Sequence, residues 1–271
     1  MMVDTAYAES RYQAAEIPHR YGPGVHLLDD PFAWTLLTRA CSPDTGQPDM
    51  GRLVRMLYEG LARVVLATEF PRARVDVPTR MAVSHPEAVY RGTALSRTTK
   101  AVTVGIARAG TMPSQVVFDL MNEVLDPSLV RQDHLFMSRQ TNAQGEVVGA
   151  TWHDAKIGRD VGDRYVLFPD PMGATGSSMV SAVSYYKGSL EGKPAKLIAM
   201  HLIVTPEYIR RVHAAHPDLV VYAYRLDRGL SPPAVLRTEP GTHEEERGLN
   251  EVQYIVPGAG GVGEILNNAW V

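Results

Sequence analysis

The apolar positions along the chain change period several times, and those changes divide it into elements. Residues 1–24 are polar and close on Pro18, Gly22, Pro23 and Gly24, which predicts an N-terminal arm ending in a turn. Phe32, Trp34, Leu36 and Leu37 lie near helical spacing before the run PDTGQPD at 43–49 breaks the chain. From about Met50 to Phe70, Leu53, Met56, Leu57, Leu61, Val64 and Val65 recur at i, i+3, i+4 and i+8, with Arg52, Arg55, Glu59 and Arg63 between them. That spacing predicts a packed amphipathic helix. Between Val75 and Thr99 the alternation is weak and broken by Pro78, Pro86 and Gly92, the mark of short strands or a hairpin.

A strand, loop and helix rhythm then begins. AVTVGI at 101–106 runs into Arg108-Ala109-Gly110 and on into a helical pattern through Val116, Val117, Leu120, Met121 and Val124, which reads as half of a parallel α/β sheet. HLFM at 134–137 is the next predicted strand, 138–160 a polar loop or hairpin around Gly145, and YVLF at 165–168 a buried strand. A small-residue loop follows, and then a helix, MVSAVSYYK. KLIAMHLIV at 196–204 and LVVYAY at 219–224 are two further buried strands, separated by a helix ending near Ala215. Residues 231–247, SPPAVLRTEPGTHEEER, hold three prolines and an acidic cluster and predict an exposed inserted loop. VQYIVP at 252–257 reads as a last strand leading into Gly258-Ala259-Gly260-Gly261-Val262-Gly263.

Composition narrows the function classes. Of 271 residues, 27 are Lys or Arg and 30 are Asp or Glu, a net charge of −3 without the basic surplus that coating nucleic acid requires. The single cysteine, Cys41, rules out an internal disulfide and a cysteine-built zinc site, and reads as a small core residue rather than a nucleophile. The first residues are acidic where a signal peptide is apolar, and the best apolar run, Leu197–Val204, is far short of the roughly 18–20 residues that cross a bilayer. A cytoplasmic protein with no membrane or nucleic-acid partner is therefore expected.

The loop after YVLF carries the chemistry. Gly173, Ala174, Gly176, Ser177 and Ser178 let an anion approach the unsatisfied N–H groups at a helix start, and Thr175, Ser177 and Ser178 add hydroxyl donors. Ser177 follows Gly176 where a nucleotide-triphosphate loop has lysine, so ATP hydrolysis is not indicated. Asp170, at the strand's end, suits sugar hydroxyls beside that anion. Arg108 sits just past a strand, where open α/β sheets bind ligands, and fits either a pyrophosphate or a surface salt bridge. Gly258 to Gly263 match G-x-G-x-x-G formally, but only eight residues remain after Gly263, too few for a dinucleotide unit. Either a glycine-lined loop against a planar ligand or a flexible tail accounts for it. His243-Glu244-Glu245-Glu246 lacks a second histidine, since position 247 is Arg247, and reads as a solvated charge run. No Gly-x-Ser-x-Gly nucleophile motif occurs.

These residues resemble the uracil phosphoribosyltransferases. Asp170-Pro171-Met172-Gly173-Ala174-Thr175-Gly176-Ser177-Ser178 is similar to that family's Asp-Pro-Met-Leu-Ala-Thr-Gly-Gly-Ser phosphate loop. Ile106-Ala107-Arg108-Ala109-Gly110 looks like its Ile-Leu-Arg-Ala-Gly, and Met137-Ser138-Arg139 like its Met-Tyr-Arg. Ala215-His216-Pro217-Asp218 and Gly248-Leu249-Asn250-Glu251, running into Tyr254-Ile255-Val256-Pro257-Gly258, match later landmarks, so the resemblance spans about residues 26–268.

The resemblance implies a type I phosphoribosyltransferase fold, a mostly parallel α/β sheet flanked by helices with a C-terminal base-binding hood. Residues 1–25 would be an arm, 26–271 the transferase domain and 231–247 an insertion. It implies that 170–178 cradle the 5′-phosphate and ribose of phosphoribosyl pyrophosphate, with Asp170 on the ribose hydroxyls. Arg108, with Ala109 and Gly110, and Arg139 would hold the pyrophosphate. Tyr254, Ile255, Gly260, Gly261 and Val262 would meet the uracil, and Mg²⁺ would arrive on the pyrophosphate rather than in a protein metal site. The implied reaction makes UMP and pyrophosphate, with Arg108 and Asp170 in the catalytic machinery of a homodimer. The alternatives are a different base or heterocycle, or a non-catalytic nucleotide-binding homologue. Three positions depart from the pattern: an acid that the family sets against ribose and pyrophosphate is Gly261 here, with Glu264 three positions on, and two leucines are Ala107 and Gly173.

Overall fold

A computed structural model of the chain describes Ala6, residues 10–141 and residues 147–270, with the side chains of 138–154 outside that description. The first elements are strand β1 (Val25–Leu27), helix α1 (Pro31–Ala40) and helix α2 (Asp49–Glu69). Asp30 caps α1 by accepting from the Ala33 N–H at 3.0 Å, and Pro31 presets the first turn. The weakly alternating region forms a separate antiparallel hairpin, β2 (Arg72–Pro78) with β3 (Val89–Leu95).

The predicted rhythm then follows as β4 (Ala101–Ala107), α3 (Thr111–Val124), β5 (Val130–Thr141), β6 (Val147–Lys156), β7 (Tyr165–Pro169), β8 (Met172–Gly173) and α4 (Ser177–Gly188). The chain closes with β9 (Lys196–Val204), α5 (Pro206–Ala215), β10 (Val220–Leu226) and a short helix α6 (Val262–Asn267). The polar hairpin predicted around Gly145 is the antiparallel pair β5 and β6, and residues 142–146 lie outside the described residues.

The main sheet has the order β1-β10-β9-β7-β4-β5-β6, with β8 pairing β9, and every pair but β5 with β6 is parallel. Both faces are covered, which is why its inner strands read as near-continuous apolar runs. Along β9, Ile198, Met200 and Leu202 pack into one core with α1, α2 and α3, while Leu197 and Ala199 face the opposite way into a second core with α4 and α5. From β4 the chain moves one way to β5, and from β7 it moves the other way to β9. The order therefore reverses between β4 and β7, and the loops that leave their C-terminal ends, 108–110 and 170–176, flank the crevice where open α/β sheets take ligands. Among the described residues, no helix is long and apolar enough to cross a membrane.

Two expectations are corrected. Residues 252–257 form no strand: the Asn250 side chain accepts from the Val252 and Tyr254 N–H groups at 3.1 and 2.8 Å, curling the segment into a turn that keeps one isolated bridge between Leu249 and Ile255. The charge run at 243–246 is not solvated throughout, because Glu246 is wholly buried. Its carboxylate pairs with Arg228 at 2.8 Å and accepts from the Gly241 N–H at 2.9 Å and from the Tyr21 hydroxyl. The 231–247 segment and residues 20–21 are thus bonded together, and Arg20 N–H adds a bond to the Pro240 carbonyl at 2.7 Å.

Candidate functional site

The small-residue loop is built by the elements on either side of it. Gly173 and Ala174 are tied down through their carbonyls, which accept from the Thr205 N–H at 3.1 Å and the Thr205 hydroxyl at 2.7 Å. Gly176 turns the chain into α4 with φ of +80°, and a Cβ there would meet Val212 Cγ1 at 3.1 Å, so conformation and space both call for glycine. Thr175 and Ser177 share a hydroxyl bond of 2.9 Å at the start of α4, whose leading N–H groups carry the positive end of the helix dipole. From α5, Arg211 Nη1 donates to Ser177 Oγ at 2.9 Å, adding a cation at the mouth of the loop.

The residue that departs from the family's leucine, Gly173, has a structural reason. A Cβ there would lie 2.9 Å from Val204 Cγ1 and 3.2 Å from the ring of Tyr208. The tyrosine from α5 fills the volume beside the loop. Its hydroxyl lies 2.6 Å from His201 Nε2, and His201 Nδ1 lies 2.6 Å from the Asp170 carbonyl. A carbonyl only accepts, so Nδ1 carries the proton and Nε2 accepts from Tyr208. Burial lowers the His201 pKa to about 4, which keeps the ring neutral, and it pushes the Tyr208 hydroxyl well above its ordinary range. This buried pair fixes the backbone at Asp170, whose side chain also accepts from the Met172 N–H at 3.4 Å.

Across the crevice, β4 ends at Ala107 and delivers Arg108, exposed, at the loop's first position. A Cβ at Gly110 would be 2.9 Å from the Pro169 carbonyl oxygen, so a glycine is needed for this loop to close on the end of β7. Arg108 Nη1 donates to the Ala269 carbonyl at 2.9 Å, and Nη2 lies 3.7 Å from Glu264. Arg139 stands on β5, three residues beyond the Ala107 and Phe136 pairing, and its side chain lies outside the described residues.

The C-terminal loop is anchored by two acids, the partly buried Glu207 and the buried Asp227. Glu207 accepts from the Gly248 and Leu249 N–H groups at 3.0 and 3.2 Å, and Asp227, paired with Arg225 at 2.6 Å, accepts from the Gly258 N–H at 2.7 Å. Tyr254 is half exposed, Ile255 is buried, and Gly260 faces open space with φ of +65°. The Val262 N–H donates to the Gly260 carbonyl at 3.1 Å, and α6 follows, with Gly263 packed on Ala109. The structure therefore brings the chain just past the glycine loop, at Gly263, Glu264 and Ala269, onto the 108–110 loop. A polar cavity of about 550 Å³ opens beside Thr175, lined by Glu207, Arg211, Arg247, Asn250 and Gln253. Sequence reading passed over Tyr208, Arg211 and Glu207. The i, i+4 pair Glu207 and Arg211 on one face of a predicted helix was the available signal for the last two.

Comparisons with known proteins identify the family of the chain. The family profile described as uracil phosphoribosyltransferase matches residues 27–243. A uracil phosphoribosyltransferase from Rhodococcus jostii (strain RHA1) is 28% identical over 242 residues, covering 89% of this chain and 97% of that protein. One from Staphylococcus aureus (strain Newman) is 27% identical over 249 residues with the same coverage. Among solved structures, the AQ2163 protein from Aquifex aeolicus is similar in fold, with a TM-score of 0.66 at 21% identity over 91% of this chain and 99% of that one. With a profile match over most of its length, the chain belongs to the uracil phosphoribosyltransferase family.

Proposed function

We propose that this phosphoribosyltransferase transfers the phosphoribosyl group of phosphoribosyl pyrophosphate to uracil, giving UMP and pyrophosphate. The observation that carries the reading is the facing of two loops across the β4 and β7 switch point: the hydroxyl-rich loop 170–178 that opens α4, and the arginine loop 108–110. The first suits a phosphate monoester, with Pro171, Met172 and Ala174 shaping the turn and Asp170 taking the ribose hydroxyls. The second suits a leaving pyrophosphate, with Arg139 as its partner from β5.

The chemistry asks little of any general base. The bond from the anomeric carbon to pyrophosphate breaks, negative charge builds on the leaving group, and a cationic centre forms on the ribose. Arg108 stabilises the leaving group, and fixed backbone donors hold the 5′-phosphate and the ring in line for attack by the base nitrogen. Tyr254, Ile255, Gly260, Gly261 and Val262 border the position of the base, where peptide groups read its edge.

The carboxylate of Glu264 beside Arg108 is a hard oxygen donor of the kind Mg²⁺ prefers and would help hold a cation delivered on the pyrophosphate, so the residues present fit that ion. Such an ion would supply charge neutralisation on the leaving group. A different pyrimidine or heterocycle is the second reading, favoured by the open space at Gly260. A panel of bases, each supplied with phosphoribosyl pyrophosphate and Mg²⁺ and read by pyrophosphate release, separates the two. Release with uracil alone supports the first, and release with another base alone overturns it.

A further inference from the structure

Glu264 lies on α6 just past the glycine loop, and its carboxylate folds back over Gly261, so that a Cβ built at 261 would overlap Glu264 Oε2. The other oxygen, Oε1, lies 3.7 Å from Arg108 Nη2. The space that a side chain at 261 would take is therefore occupied by the tip of an acid that arrives from three residues later. The carboxylate and the guanidinium meet at the C-terminal end of β4, the end at which the proposed function places the pyrophosphate.

A carboxylate there has a definite electrostatic consequence. Pyrophosphate without a cation is repelled by Glu264 even as Arg108 attracts it, which cancels much of the benefit of the arginine. With a divalent cation bound, the same ligand presents positive charge and open coordination positions to a carboxylate oxygen, and the repulsion becomes attraction. We propose that Glu264 makes the pyrophosphate position beside Arg108 selective for the cation-complexed ligand, with the side-chain-free Gly261 providing the space its carboxylate occupies. The inference rests on the proposed function, because it takes Arg108 as the pyrophosphate ligand.

The test is calorimetric binding of inorganic pyrophosphate to the full chain, with Mg²⁺ and with EDTA in its place. Wild type should bind at least 30-fold more tightly with Mg²⁺. In Glu264→Gln the gap should shrink to less than about 5-fold, chiefly because metal-free pyrophosphate binds better. Glu264→Asp should keep an intermediate gap, and Gly261→Asp in the Glu264→Ala background should restore it. A Glu264→Gln gap equal to that of wild type overturns the inference, as does an equal loss of both forms, which would mark a simple structural contact. If wild type binds no pyrophosphate under either condition, the proposed function fails first and this inference with it. Melting temperatures measured on the same samples identify any variant whose fold has changed.

Discussion

The imidazole of His201 and the hydroxyl of Tyr208 lie 2.6 Å apart in the sealed interior beneath Asp170, joining β9 to α5 under the loop proposed to hold the ribose. Neither group reaches solvent, and each satisfies the other. Their pairing has a pH consequence. The folded His201 stays neutral down to about pH 4, whereas the unfolded chain takes up a proton below its ordinary value of 6.5. Stability from this residue is therefore complete above pH 6.5, falls as the pH drops from 6.5 towards 4, and is flat below that. The full loss is about 3 kcal/mol at ~1.4 kcal/mol per pKa unit. Urea unfolding at pH 7 and pH 5 should show a drop for wild type that is smaller by about 2 kcal/mol in His201→Gln. Equal drops in both proteins would contradict the assignment.

Gly173 and Tyr208 divide one volume between them. Gly173→Leu should destabilise the protein by about 1–3 kcal/mol through overpacking against Val204 and the tyrosine ring. Adding Tyr208→Ala should recover part of that loss, since the new side chain then has somewhere to go. Denaturation midpoints of the two single variants and the double variant give the coupling, and strict additivity would count against shared space.

Arg108 is exposed and its loss leaves no buried hole, so Arg108→Ala should keep the melting temperature within a degree or two of wild type. The proposed contact to pyrophosphate is a charge-assisted one, roughly 1.5–3 kcal/mol, which corresponds to a fall in kcat/KM for phosphoribosyl pyrophosphate of about 10- to 150-fold. Arg108→Lys should retain part of it. Initial-rate kinetics on the three proteins are the check.

Glu246 holds Arg228, Gly241 and Tyr21 at one buried point. Glu246→Ala leaves the largely buried Arg228 without its counterion, at a cost of about 3–5 kcal/mol. Thermal unfolding should register this directly. Limited proteolysis should then cut first within 231–247, while pyrophosphate release measured well below the melting temperature stays near the wild-type rate.

The contrast between Glu246 and the sheet shows what the chain spells out locally. The strands and helices were legible because each buries a face of its own, so period and apolar content are written in consecutive residues. The loop at 170–178 was legible because glycine, serine and threonine between a strand and a helix have few other uses. Glu246 was not, because its burial depends on Arg228, 18 residues away, and Tyr21, 225 residues away, so that in the sequence it looks like its exposed neighbours Glu244 and Glu245. The turn at 252–257 was missed for a related reason: alternating apolar residues suggested a strand, while the Asn250 side chain claims two N–H groups that a strand would have offered to a neighbour. The link between Gly261 and Glu264 needed the helix that brings them together.

The central claim is tested most directly by incubating the purified full chain with labelled uracil, phosphoribosyl pyrophosphate and Mg²⁺, and following UMP and pyrophosphate together. The account predicts the two products in equal amounts, at a rate that falls at least tenfold in Arg108→Ala. No UMP at high enzyme concentration, with the protein folded and phosphoribosyl pyrophosphate intact, would contradict it.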